Sequence, residues 1–178
     1  IADAPNGLIG QNINLSFPSV GATENILMSS VLAKGKTIIN NAAKEPEIVD
    51  LIKCLRSMGA KISGEGTATI KINGVIKLNN AYHKIMSDRI VAGTYVIAAM
   101  ILNKKFTINN LDSSHLTALI SLLKSMGANL EINTNSIVIK PSLQLKGAKV
   151  ETAPYPGFPT DLQAQVMTLM CIAQGNSQ

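Results

Sequence analysis

The chain has 178 residues, which allows one ordinary domain or two small ones. Hydrophobic residues make up 46% and charged residues 15%, so there is material for a core and no composition for disorder. Aromatics are only 3%, which counts against base-stacking platforms for single-stranded nucleic acid, and the net charge of +5 comes from scattered Lys and Arg rather than a clustered basic footprint.

Periodicity predicts α/β elements in chain order. A leading strand is expected over residues 9–17 and a helix over 22–33, joined by Phe17-Pro-Ser-Val-Gly-Ala-Thr-Glu-Asn25. Pro18 and Gly21 force a tight entry there. Ser19 suits a helix cap, and the free N–H groups of the same helix end also suit an anion. A strand is expected over 36–40. A helix follows over 45–58, where Ile48, Leu51, Ile52, Leu55 and Met58 share one face. Pro46 and Glu47 suit its first turn and Gly59 its exit. Two short strands come next, 61–63 and 69–72.

The second half repeats this order. A strand is expected over 82–85, a helix over 88–102, a strand over 106–108, a helix opened by Ser113 or Ser114 and closed by Gly127, and strands at 129–132 and 137–140. Leu55-Arg-Ser-Met-Gly-Ala-Lys-Ile62 returns as Leu123-Lys-Ser-Met-Gly-Ala-Asn-Leu130, and Thr37-Ile-Ile-Asn-Asn41 as Phe106-Thr-Ile-Asn-Asn110. The repeat is about 68 residues long, measured from Met58 to Met126, which is the size of a small folding module. A third copy opens with a strand at 150–152 and a helix over 161–173. Its apolar face of Val166, Leu169, Met170 and Ala173 has no following sheet, and is expected to meet water.

Smaller signals are bland. Cys54 and Cys171 match no zinc or disulfide spacing and are expected buried and reduced. The apolar run 90–102 is shorter than the roughly 20 residues of a membrane span. His83 and His115 stand apart from other metal-ligating residues, so no metal or cofactor is expected. The chain opens on Ile1, as expected of a processed product or fragment. Near its end, Pro154-Tyr-Pro-Gly-Phe-Pro-Thr-Asp-Leu-Gln-Ala-Gln165 stiffens the approach to a helix. Thr160 and Gln163 read as a capping box, with Asp161 either a first-turn carboxylate or a catalytic one.

Ser19-Val-Gly-Ala-Thr-Glu-Asn25, Asn41-Ala-Ala-Lys-Glu-Pro-Glu-Ile-Val-Asp50, Met58-Gly-Ala60, Asp88-Arg-Ile90 and the string ending at Gln165 together resemble the UDP-N-acetylglucosamine 1-carboxyvinyltransferase family of enolpyruvyl transferases. The resemblance runs through nearly the whole chain. It implies an α/β fold of repeated helix–strand–helix–strand–strand units, with residues 1–86 part of one globular domain and 87–178 part of a second. It implies transfer of the enolpyruvyl group from phosphoenolpyruvate to the 3-hydroxyl of UDP-N-acetylglucosamine, opening peptidoglycan synthesis in the bacterial cytoplasm and serving cell shape and division. Ser19, Val20 and Gly21 are then substrate contacts, and Asp161 a substrate contact and candidate general base. Arg89 is a weaker candidate for the same cleft. Phe17 and Pro18 stand where some members carry a basic residue before the turn. The family's reactive-cysteine loop and phosphoenolpyruvate contacts lie outside this segment, so the chain alone is expected inactive. Its partners are expected to be the remaining segments of the enzyme or further copies, with neither nucleic acid nor membrane. Rival readings are a 5-enolpyruvylshikimate-3-phosphate synthase-like transferase, an RNA 3′-terminal phosphate cyclase, for which no suitable histidine context exists, and a non-catalytic repeat module.

Overall fold

The computed structural model describes residues 4–178, in two units that divide between Met86 and Ser87. Each unit has its own hydrophobic core. Among the described residues no helix is long and apolar enough to cross a membrane.

Unit one runs β1 (Asn12–Asn14), α1 (Val20–Ser30), β2 (Lys36–Asn40), α2 (Pro46–Ser57), β3 (Lys61–Ser63) and β4 (Thr69–Asn73). The strands lie in the order β1-β2-β4-β3, with β1 parallel to β2 and the other pairs antiparallel. Alternation decides the faces: Thr37, Ile39, Ile70 and Ile72 are buried, while Lys36 and Lys71 point to water. The helices α1 and α2 contribute Leu27, Ile48, Ile52 and Leu55 to that core. Pro46 is the first residue of α2, where its missing N–H costs no helical bond.

Unit two runs α3 (Arg89–Leu102), β5 (Phe106–Asn109), a 3-10 turn (Ser113–Leu116), α4 (Thr117–Ser125), β6 (Asn129–Asn133), β7 (Ser136–Lys140), a second 3-10 turn (Thr160–Leu162) and α5 (Gln163–Met170). Its sheet is antiparallel in the order β5-β7-β6. The second 3-10 turn and α5 both pack on α3, and at Gly93 an added Cβ would lie 2.8 Å from a methyl of Leu162 in that turn. Gln165 Nε2 donates to Thr94 Oγ1 at 3.0 Å across the same seam.

The repeat is visible in the backbone. Gly59 and Gly127 both take left-handed φ, +100° and +90°, directly after α2 and α4. In each copy the following alanine N–H reaches back to a leucine carbonyl, Ala60 to Leu55 at 3.0 Å and Ala128 to Leu123 at 2.9 Å. The glycine N–H groups donate to Arg56 and Lys124 at 2.9 and 3.0 Å, completing a Schellman motif twice. A third start is present as well. Gly10 N–H donates to Lys34 O at 2.8 Å, and Gly147 N–H donates to Gln174 O at 2.7 Å, each beside a parallel bridge.

Several expectations are corrected. Residues 82–85 form no strand, and Tyr82 and Ile85 are exposed, because no neighbouring strand edge takes them. The third copy pairs through 145–150 against 174–178 rather than through a strand at 150–152, where only an isolated bridge from Thr152 to Phe158 forms. The strand β1 is shorter than 9–17, and α1 begins at Val20 and stops at Ser30. Asp112, not Ser113 or Ser114, caps the turn before α4, accepting from Ser114 N–H at 3.0 Å. Val166 and Leu169 do not meet water; they are buried because α5 packs on α3 within the unit. Cys171 is exposed beyond the end of α5, and Cys54 is half-buried. His83 and His115 are not isolated, since each faces an aspartate, Asp50 at 3.0 Å and Asp112 at 3.5 Å.

Candidate active site

The first candidate cluster sits at the start of α1. Ser19 has extended φ and ψ of −107° and 122°, and its Oγ accepts from Ala22 N–H at 3.3 Å, so the capping role is real. Thr23, fully buried, ties this helix start to the segment before α2: its Oγ1 donates to Ser19 O at 2.7 Å and accepts from Ala43 N–H at 3.1 Å. The helix entry is thus held from both sides. Ser19 and Val20 are half-buried and Gly21 is exposed.

Gly21 is the informative residue. It lies in the first turn of α1, its φ is not left-handed, and a Cβ built on it would meet nothing within 4 Å. Neither backbone conformation nor packing within the described residues requires glycine there. Against alanine, glycine costs a helix about 1 kcal/mol, and near a terminus less. The backbone at this helix start is therefore open to solvent on the side where a Cβ would stand.

The second candidate lies in unit two. Asp161 is exposed within the 3-10 turn before α5. The expected capping box is absent: Pro159 occupies the N-cap position, with no side-chain cap bond, and Thr160 is already inside the turn. A proline has no side-chain acceptor, so the residue order that looked like a box cannot close one. The carboxylate of Asp161 is therefore not engaged in capping this turn, and faces solvent.

The stretch before Asp161 is a closed turn. Thr152 bridges Phe158, Ala153 N–H donates to Phe158 O at 2.9 Å, and Gly157 N–H donates to Pro154 O at 2.8 Å. Phe158 anchors it in the core at 5% exposure. Arg89, expected as a weak cleft candidate, is buried at 8% exposure, with its guanidinium carbon 5.6 Å from the centre of the Tyr155 ring. The pocket behind the turn measures about 10 Å³, which is room for one water and not for a sugar or a phosphate. The contact between Arg89 and Tyr155 was not anticipated, because it joins residues far apart in the chain.

Comparison with known proteins agrees with this architecture. The family model for EPSP synthase (3-phosphoshikimate 1-carboxyvinyltransferase) matches residues 3–178. The chain is 51% identical over 178 residues to UDP-N-acetylglucosamine 1-carboxyvinyltransferase of Finegoldia magna, covering 99% of this chain and 42% of that protein. It is 50% identical over 170 residues to UDP-N-acetylglucosamine 1-carboxyvinyltransferase 2 of Clostridium tetani, covering 96% and 41%. The chain thus spans about two-fifths of the length of these curated relatives. Among solved structures, the enolpyruvyl transferase NikO from Streptomyces tendae aligns with a TM-score of 0.85 at 22% identity, over 96% of this chain and 44% of that one, and shows the fold. EPSP synthase from Acinetobacter baumannii aligns with a TM-score of 0.58 at 26% identity, over 79% and 34%. With the family model spanning nearly every residue, and the repeated α/β unit recovered in both halves of the chain, this protein belongs to the EPSP synthase (3-phosphoshikimate 1-carboxyvinyltransferase) family.

Proposed function

We propose that this chain is part of a carboxyvinyl transferase that moves the enolpyruvyl group of phosphoenolpyruvate to the 3-hydroxyl of UDP-N-acetylglucosamine. The observation that carries the reading is identity of about one residue in two with enzymes of that name over 96–99% of the chain. The same family contains an EPSP synthase type, but the likeness to the solved enzyme of that type is weaker, at 26% over 79% of the chain. On this reading residues 1–86 and 87–178 belong to two domains of the longer enzyme. It opens peptidoglycan synthesis in the bacterial cytoplasm, and its partners are its two substrates and its own remaining segments.

Ser19, Val20 and Gly21 contact the nucleotide sugar on this reading. The side chain that Gly21 lacks would occupy open space at the helix start, where N–H groups and the positive end of the dipole favour an anionic group. Asp161 lies by the accepting hydroxyl. In the forward reaction the hydroxyl oxygen bonds to the central carbon of phosphoenolpyruvate, and a proton goes to the methylene carbon. The hydroxyl proton passes to a base. Elimination then removes a proton from the new methyl group and expels phosphate. A carboxylate is a weak base at neutral pH, so Asp161 acts chiefly by holding the hydroxyl in line as its proton departs.

The test has two arms. Titration of the chain with UDP-N-acetylglucosamine is expected to shift the backbone amide signals of Val20 and Gly21, and shikimate 3-phosphate is not. The reverse preference would overturn the substrate assignment. In a polypeptide with the full length of the relatives, Asp161→Asn is expected to keep nucleotide-sugar binding and lose at least a hundredfold in turnover, the lower end of the range for positioned acid–base groups. A folded Asp161→Asn enzyme with a normal rate would remove Asp161 from the mechanism.

A further inference from the structure

We infer that Arg89 is a positioning residue: its guanidinium, laid over the Tyr155 ring, holds the proline-rich turn that sets Asp161 in place. The importance of that placement rests on the proposed role of Asp161, but the holding contact itself does not.

Internal repetition provides the first support. Ser19 caps α1 and Asp88 caps α3, so the residue after each cap is equivalent, Val20 in the first copy and Arg89 in the second. The first copy builds the same helix start with an aliphatic side chain. The repeated fold therefore does not need an arginine at this position.

Local helix electrostatics do not call for one either. Arg89 is the first residue of α3, where the positive end of the helix dipole disfavours a cation. It is nevertheless buried at 8% exposure, and a buried charge needs compensating partners. At 5.6 Å from the ring centroid, Tyr155 lies within cation–π range and presents the face that an arginine plane can stack on.

The ring projects from a closed turn whose own backbone bonds run from Ala153 to Phe158 and from Gly157 to Pro154. Phe158 secures the base of the turn in the core, whereas Pro154 and Pro156, flanking Tyr155, are exposed. Arg89 grips that outer part. From there the path to Asp161 is short and stiff: Pro159 is the N-cap of the 3-10 turn, and Leu162 N–H donates to Pro159 O at 3.2 Å. Arg89, Tyr155, Gly157, Pro159 and Leu162 line the same small pocket, so displacement of the ring is felt along the turn. The side chain acts on Asp161 through this segment, without touching a substrate.

The experiment uses the 178-residue chain, labelled with 15N and with 3-fluorotyrosine, which reports on Tyr82, Tyr95 and Tyr155 separately. Amide hydrogen exchange is compared in wild type, Arg89→Met, Arg89→Lys, Tyr155→Leu and the Arg89→Met/Tyr155→Leu double variant. Losing the contact is expected to speed exchange at Gly157 and Leu162 roughly 5- to 30-fold, the population change that a desolvated cation–π pair can produce. Arg89→Lys restores part of the protection because it keeps the cation, and the double variant is no worse than either single one. Only the Tyr155 fluorine signal moves in Arg89→Met, and amides of Val96 and Leu123 keep their protection. Unchanged exchange in the turn, or an equal loss of protection throughout unit two, would overturn the proposal. Tyr155→Leu leaves the arginine intact, so it decides the matter alone if Arg89→Met does not fold. Neither measurement involves a substrate, so failure here is distinct from failure to bind UDP-N-acetylglucosamine.

Discussion

The two complete copies of the repeat close their second helix identically and then part company. After the turn at Gly59, Asn79 N–H donates to Met58 O at 2.8 Å; after the turn at Gly127, Lys146 N–H donates to Met126 O at 2.9 Å. Beyond Lys146 the chain goes on to pair in parallel with 174–178, as the start of copy one pairs with β2. Beyond Asn79 it forms no strand, and the segment stays with unit one, where His83 Nε2 lies 3.0 Å from Asp50 Oδ2. The division between the units falls just after, at Met86 and Ser87. What repeats is whatever the backbone needs locally, such as caps, left-handed glycines and buried leucines. What differs is which strand edge a following segment finds.

The comparison breaks most severely in the two cores. Leu55 and Leu123 are equivalent, but Leu123 is fully buried and Leu55 retains 7% exposure. Truncation to alanine is expected to cost about 2–5 kcal/mol at either site, with Leu123→Ala at the upper end and Leu55→Ala at the lower. Urea unfolding of each variant, followed by amide signals from each unit, checks both the order and the location of the loss. Equal costs would mean that the site around Leu123 collapses to fill its cavity.

The glycines sharpen the comparison, because here the two copies should agree. Gly59 and Gly127 have φ of +100° and +90°, and an added Cβ would lie 3.4 Å from Asn79 Nδ2 in the first and 3.4 Å from Gln144 O in the second. Space is not limiting, so the cost is conformational strain. Gly59→Ala and Gly127→Ala are each expected to lose about 1–2 kcal/mol, and to match within experimental error. A clear difference between them in the same denaturation experiment would show that the two turns are not equivalent.

These comparisons also show what was legible in the sequence. The helix α2 and the strands β2 to β7 are legible nearly to their ends, because their signals are local: alternation, a proline at the helix start and a glycine at its exit. The segment 82–85 has strand-like residues, but a strand also needs an edge, and no local pattern specifies one. Thr160 and Gln163 had the spacing of a capping box, yet Pro159 already occupied the cap. Val166 and Leu169 looked uncovered because their cover, α3, lies far upstream. The candidate site was legible differently. The likeness at Ser19 to Gly21 and at Asp161 came from resemblance rather than from periodicity. The open space at Gly21 and the stacking of Arg89 on Tyr155 exist only once the chain is folded.

The smallest expected effect concerns charge, where the copies use different devices. In unit one Arg56 grips Glu65 with two nitrogens, the second at 2.6 Å, while its Nε donates to Ile62 O at 2.8 Å. In unit two Lys124 stands at the place of Arg56, and the strand pair is bridged instead by Lys140 and Glu131 at 2.9 Å. Hydrogen bonding from Arg56 holds the Glu65 carboxyl well below its ordinary value, to about 2. A carboxylate with a depressed folded value stabilises the fold above its unfolded value, and that contribution is lost as the pH falls through the folded one. The window for Glu65 therefore runs from the ordinary 4.5 down to about 2. Its side chain keeps 34% exposure, so solvent screens the pair and the contribution is at most about 1 kcal/mol near neutrality. Wild type and Glu65→Gln should thus differ slightly in the denaturant midpoint of unit one at pH 6. The gap should close progressively as the pH is lowered through that window, while the midpoint difference in unit two stays at zero throughout. A gap that persisted unchanged to pH 2 would mean that Glu65 stabilises unit one by something other than its charge.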